Sequence, residues 1–405
     1  MNKNKTALAV LCAMAITACS GGGSVIDGSQ TSGTGSGTGT GAGSATGGGT
    51  VVAPVVVTMA QLGAQLFAER TLSSTGTQSC AGCHDAGKAF TDPVQGLPVS
   101  QGAVSGRFGT RNAPTAMYAS FVPALHQENT AAGLRWVGGL FLDGRADDLE
   151  TQARAPFFNA QEMNLASAGD LHARLAASPV RSAYESVYGA GSLAAGVDED
   201  LVITRVVAAI AEFERSTPFQ PFSSKFDAVL AGNATLTPQE ALGRDVFTRP
   251  DKGGCAACHA IGPGPFGSPP LFSNFTYENT GVPRNPDRRF YATGFVDTGL
   301  EATLLARGIA AGPAANTRGR FRVPTLRNIA LTPPYMHNGV FTDLRTVVEF
   351  YNTRDSDPAR WAAIGAMEVP ATVNNRLLGN LGLSAQEVEA VVAFLQTLSD
   401  GYTPP

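Results

Sequence analysis

The residues with the most chemical content fall in two five-residue runs, Cys80-Ala-Gly-Cys83-His84 and Cys255-Ala-Ala-Cys258-His259. A Cys-x-x-Cys pair alone could be a redox dithiol or half of a zinc site. The histidine directly after the second cysteine, present both times, changes the reading. Two thiols at this spacing can form thioethers to one haem, and the adjacent imidazole can then ligate its iron. A zinc site needs four ligands, and each run offers three at unsuitable spacing. The expectation is two covalently attached c-type haems, one with His84 as proximal ligand and one with His259. Of the six cysteines, Cys12 and Cys19 lie near the N-terminus, so none remains for a disulfide.

What occupies the second axial position of each iron decides what it can do: an open position admits peroxide or oxygen, a filled one favours electron transfer. Three histidines remain, His126, His172 and His337. His172 sits in a mostly polar helical stretch and reads as a surface residue. His126 reads as a loop residue and a minor candidate for a distal ligand.

The elements that must position these runs repeat. Leu62-Gly-Ala-Gln-Leu-Phe67 precedes the first run and Leu242-Gly-Arg-Asp-Val-Phe247 the second, each predicting a short helix that enters a loop. Thr237, Pro238 and Glu240 form a capping-box start for the latter helix. Two copies of one unit predict a mainly α fold of two cytochrome-c-like haem domains from an internal duplication, residues 58–233 and 234–405, with the junction near 230–236. Helical periodicity predicts further helices over 201–213 and from Ser384 to Leu398. The Pro- and Gly-rich stretches 261–274 and 281–287 read as loops around the cofactors. Few strand patterns are present.

With 405 residues the chain can bury two cores. Its formal charge of −4 and lack of a basic run argue against a nucleic-acid partner. Lys3 and Lys5 followed by apolar Ala7 to Ile16 predict an export signal over residues 1–18, too short to remain as a spanning helix. Ile16-Thr17-Ala18-Cys19 resembles a bacterial lipobox, which would make Cys19 a lipid anchor and the membrane a partner only through that lipid. A secretory signal cleaved near Ala18 is the alternative. Ser20 resembles a signal for the outer membrane, with the body in the periplasm. Residues 19–57, rich in Gly, Ser and Thr, read as a flexible tether.

Several motifs together resemble the bacterial di-haem cytochrome c peroxidase family, including its MauG branch. They are Arg111-Asn-Ala-Pro-Thr115, Asp143-Gly-Arg145, the span from Gln152 to Glu162-Met163, Val323-Pro-Thr-Leu-Arg-Asn328, and Pro334-Tyr-Met-His-Asn-Gly339. The likeness runs from about residue 58 to the end. It implies that hydrogen peroxide reacts at the first haem, with Gln152, Pro156 and Glu162 lining the distal pocket and Arg145 near the cofactor. Heterolysis of the O–O bond needs a proton moved between the two oxygens, which a carboxyl can do. Typical family peroxidases close this site with a histidine until reductive activation; Val104 stands there here, implying a first haem open without activation. About fourteen residues after His337, where the peroxidases have Met and MauG-type proteins Tyr, stands Tyr351. It shares a helical face with Leu344, Val347 and Val348, and Met336 and Met367 are weaker ligand candidates. A departure is Leu142, which replaces the Trp that usually relays charge between the haems; Trp136 is six residues away and reads as packing. The resemblance also implies one calcium ion held by Asn112, Thr332 and Pro334, and an exported redox partner or substrate protein. The sequence therefore leads to a MauG-like peroxide-driven oxidase, with a detoxifying peroxidase served by a small cytochrome or cupredoxin, or a non-catalytic electron carrier, as alternatives.

Overall fold

The computed structural model describes residues 57–94, 97–130, 133–287 and 294–404, all within one compact unit. The expected signal segment, Cys19 and nearly all of the tether lie outside the described residues.

Two helix pairs organise the molecule. Helix α1 (Met59–Ala68) opens on a capping box in which Thr58 and Gln61 satisfy each other's backbone N–H groups. After the one-turn helix α2 (Cys80–Cys83) come α3 (Leu149–Phe158), α4 (Ala168–Ala177), α5 (Arg181–Tyr188) and α6 (Glu199–Glu214), whose apolar face α1 crosses. Next follow α7 (Lys225–Leu230) and α8 (Pro238–Thr248), the latter started by Thr237 and Glu240 as the sequence predicts. Then come α9 (Leu300–Ala306), α10 (Ala311–Ala315), α11 (Leu344–Thr353), α12 (Pro358–Ala362) and α13 (Ala385–Gln396), which has a Ser384–Glu387 capping box and crosses α8.

Glycine permits both crossings. A Cβ on Gly63 would lie 1.9 Å from Ala209 O and 2.8 Å from Phe213 Cβ; one on Gly243 would lie 1.9 Å from Ala390 O and 2.8 Å from Phe394 Cβ. The aromatic contacts beside them also agree, with Phe67–Phe213 centroids 5.6 Å apart and Phe247–Phe394 centroids 5.3 Å apart, both edge-to-face. One core gathers Leu62, Leu66, Phe67, Val206, Ile210 and Phe219, and a second gathers Val246, Phe247, Phe272, Val391, Phe394 and Leu395. Helix α7 precedes the expected junction yet contributes Phe226 to the second core.

The chain is mainly helical, with two small sheets among the described residues. β1 (His126–Thr130) pairs antiparallel with β2 (Gly133–Val137), and β3 (Tyr277–Glu278) with β4 (Phe321–Arg322). His126 is thus a strand residue and not part of a loop; its side chain is 47% exposed. Trp136, in β2, packs against Leu125, Tyr277 and Leu304, the packing role expected of it.

Polar contacts tie the earlier half to the later one. Arg111 donates from Nε and Nη2 to the two Asp297 oxygens at 2.6 and 2.8 Å, while its Nη1 lies 2.6 Å from Asp143 Oδ2. Tyr277 Oη donates to Gly138 O at 2.6 Å, and Arg322 N donates to Leu142 O at 2.8 Å. Removing one member of such a buried ion network strands the others without compensation.

Candidate functional site

The two Cys-x-x-Cys-His runs fold alike. In each, the histidine N–H closes a helical turn onto the first cysteine, His84 N to Cys80 O and His259 N to Cys255 O, both 2.9 Å. The imidazoles are held alike too: His84 Nδ1 lies 2.9 Å from Phe90 O, and His259 Nδ1 lies 2.9 Å from Phe272 O. Both phenylalanines adopt φ of +54°, a left-handed conformation rare for aromatic residues. An Nδ1–H donated to a carbonyl leaves the Nε2 lone pair free, which is what an axial iron ligand requires. Burial pushes both imidazoles down, His259 to about 4, so each is neutral as ligation demands.

The thiols behave in the opposite way to a redox dithiol. Burial pushes Cys83 and Cys255 up to about 12 and Cys258 to about 11, and Cys80 is raised as well. Reactive dithiols need lowered values. Among the described residues no group of three His, Cys, Asp or Glu side chains is placed to hold a metal ion.

The expected amide lies in α3 and the expected acid in the turn after it. Gln152 and Pro156 are four residues apart and share one face of α3. Pro156 has no N–H to give Gln152 O, so the helix loses a bond at this point. The chain then folds back, with Met163 N donating to Pro156 O at 3.1 Å. Burial raises the Glu162 carboxyl, partly offset by Arg145 and by a hydrogen bond from Asn159. Its charge reaches both Cys80 and Cys83. Arg145 stacks 3.5 Å over the Phe141 ring and bonds Asp143 at 3.0 Å, so it sits between the ion network and Glu162. The loop carrying Val104 is fastened to the same turn: Ala103 N donates to Glu162 O at 2.7 Å and Arg107 Nη1 to Ala160 O at 3.2 Å.

The second run opens onto a cavity lined by Cys255, Cys258, His259, Met336 and the whole expected face of α11, Leu344, Val347, Val348 and Tyr351. Tyr351 Oη lies 4.0 Å from Met336 Sδ. Burial raises its phenol well above the ordinary value. Met367 is not on this wall; it bridges to Pro283. His337 reaches the cavity but is committed, with Nε2 2.9 Å from Glu368 Oε2 and its ring stacked on Phe321 at 3.9 Å. His172 is half-buried, bonded to Leu193 O, which corrects the surface reading.

A profile of the family described as di-haem cytochrome c peroxidase matches residues 58–235. The chain is 41% identical to methylamine utilization protein MauG of Paracoccus denitrificans (strain Pd 1222), over 86% of this chain and 90% of that one. It is 31% identical to the cytochrome-c peroxidase IdrP2 of Denitromonas iodatirespirans, over 84% and 81%. The crystal structure of the diheme peroxidase BthA from Burkholderia thailandensis E264 superposes with a TM-score of 0.76 at 36% identity, covering 85% of this chain and 86% of that one. The chain belongs to the di-haem cytochrome c peroxidase family. It is a peroxidase-type oxidoreductase carrying two haem c groups, and the electron-carrier alternative falls away. The paired thiols, neutral imidazoles and apolar cavity wall fit such groups.

The family's calcium expectation meets residues that line one cavity, Asn112, Thr332 and Pro334. Asn112 Nδ2 donates to Pro98 O at 3.2 Å, which leaves its Oδ1 on the other side. Leu142 lines the same cavity, as do Phe275 and Phe321. Sequence reasoning missed the Arg111–Asp143–Asp297 network, whose members are far apart in the chain. It also missed Glu214, which continues the buried Ile203, Val207 and Ile210 face of α6. That periodicity was the available signal.

Proposed function

We propose that this protein is a periplasmic, MauG-like di-haem oxidase in which hydrogen peroxide is reduced at the His84 haem and the equivalents are drawn from a donor or partner protein. Bound haem supplies the iron at which the O–O bond is cleaved by two electrons. Glu162, raised by burial, exchanges the proton between the peroxide oxygens, and Gln152 and Pro156 shape the space in which peroxide or water is held. Arg145 keeps part of that carboxyl's charge in check. Overall, one peroxide, two electrons and two protons give two waters.

One observation carries the reading: the expected closing position holds Val104, in a loop bonded to the Glu162 turn, while Tyr351 lines the same cavity as Cys255, Cys258 and His259. An aliphatic residue cannot close an iron, and a phenolate oxygen stabilises higher oxidation states better than a thioether does. Tyr351 is assigned as the second axial ligand at His259. Asn112, Thr332 and Pro334 are assigned to one calcium between the haem regions, and Cys19 to the lipid anchor. The matched helix pairs α1/α6 and α8/α13 support an origin by duplication.

Leu142 favours a second reading, a peroxidase that detoxifies peroxide with a small cytochrome or cupredoxin, because it offers no oxidisable side chain between the haems. Stopped-flow mixing of the fully ferric protein with hydrogen peroxide separates the proposed site from an activation-dependent one. Immediate spectral change of the first haem is expected; a requirement for prior reduction would overturn the open-site assignment. Fast steady-state turnover with a reduced small cytochrome would establish the second reading instead.

A further inference from the structure

The crossing glycines align α6 with α13 residue by residue: Ala209 corresponds to Ala390, Phe213 to Phe394, Ile210 to Val391. In α13, Val391 and Leu395 line the cavity of the second run together with Cys255 and His259. The counterpart of Leu395 in α6 is Glu214. The alignment thus sets a carboxyl in α6 against an apolar cavity-wall residue in α13.

Glu214 is only 6% exposed, and among the described residues no hydrogen bond or ion pair reaches its carboxylate. Its charge is felt at Cys80, the thiol that joins the first haem, more strongly than that of Cys83 in the same run. The charged groups around it are few. Arg215 lowers it and Glu150 raises it, but these two are spent on each other at 2.8 Å. Helix α1, packed on α6, has no charged residue. Helix α3 adds Arg154, paired with Asp200 at the far end of α6. Helix α4 adds His172 and the Asp170–Arg174 pair. Glu162 is the other carboxyl whose charge reaches Cys80.

We propose that Glu214 is a potential-setting residue of the first haem pocket, a proton-exchanging carboxyl at the position where the second pocket has Leu395. An anion in a low-dielectric pocket stabilises the more positive ferric state of the iron, and a neutral acid does not. The coupled step is balanced: ferric haem with ionised Glu214 takes one electron from the donor and one proton from solvent, giving ferrous haem with neutral Glu214. Burial pushes this carboxyl up to about 8, so the exchange falls near the working pH range. The inference rests on haem attachment at Cys80 and Cys83, and not on which donor or substrate is used.

Spectroelectrochemical titration of the holoprotein between pH 6 and 9 tests it. The first-haem midpoint of the wild type should fall as pH rises. Glu214→Gln and Glu214→Leu should each lose at least half of that slope and lie above the wild type at pH 9, with the second haem unchanged. Gln is nearly isosteric, so it remains readable if Leu perturbs folding. A first-haem slope equal to the wild type in a folded di-haem Glu214→Gln protein would overturn the proposal. A merely structural role would alter stability without altering the slope, and failure of the open-site reading would show in spin state instead.

Discussion

The α1/α6 and α8/α13 crossings place glycine against the same backbone atom at the same distance, and each is followed by a histidine held through Nδ1 by a phenylalanine carbonyl. Beyond that shared cradle the two pockets diverge. Around the first run the charges of Glu162 and Glu214 reach Cys80, Arg145 acts on Glu162, and Val104 stands at the expected closing position. The second opens on a mostly apolar cavity lined by Leu395, Val391, Leu344, Met336 and Tyr351, with Glu278, Arg322, Arg327 and His337 also on it. The contrast teaches that one scaffold can hold two such histidines alike while the residues around each run differ. On the proposed reading, proton-handling groups gather where peroxide is protonated, and Tyr351 stands where an iron is closed.

The comparison can be broken first at the acid. Glu162→Gln should slow the reaction of the ferric protein with peroxide by ~10²–10⁴-fold, the usual range for loss of a general acid–base group. The spectrum of the second haem should stay unchanged. An unaltered rate would remove the chemical distinction between the pockets.

A smaller effect tests the shared cradle. Gly63→Ala and Gly243→Ala each force a Cβ onto a helix carbonyl, so each should cost about 1–3 kcal/mol in urea unfolding of the holoprotein. Comparable costs are expected from the matching geometry. A large cost at one position and none at the other would show that the crossings are not equivalent.

The features written in local sequence were the ones that could be read. Both haem runs, the caps at Thr237 and Ser384, and the face of α11 that ends in Tyr351 follow from spacing of three or four residues. The pair of residues at Gln152 and Glu162 came only through family likeness, because the chain reverses between them at a bond from Met163 N to Pro156 O that no local spacing announces. The β1/β2 hairpin was missed because His126 to Val137 has no clean alternation, and its register is set by cross-strand pairing. The Arg111 network was invisible for a different reason: Arg111 and Asp297 are 186 residues apart and meet only in the folded chain. Glu214 was hidden by its type, since an acid at the end of a helix reads as solvated unless the apolar face is followed to its last turn.

The central claim is that one iron is open and the other is closed by Tyr351. Electron paramagnetic resonance of the resting ferric holoprotein, wild type beside Tyr351→Phe, tests it most directly. The account predicts one high-spin and one low-spin signal in the wild type, with only the low-spin signal changed in the variant. Two low-spin signals in the wild type, or a low-spin signal indifferent to Tyr351→Phe, would contradict it.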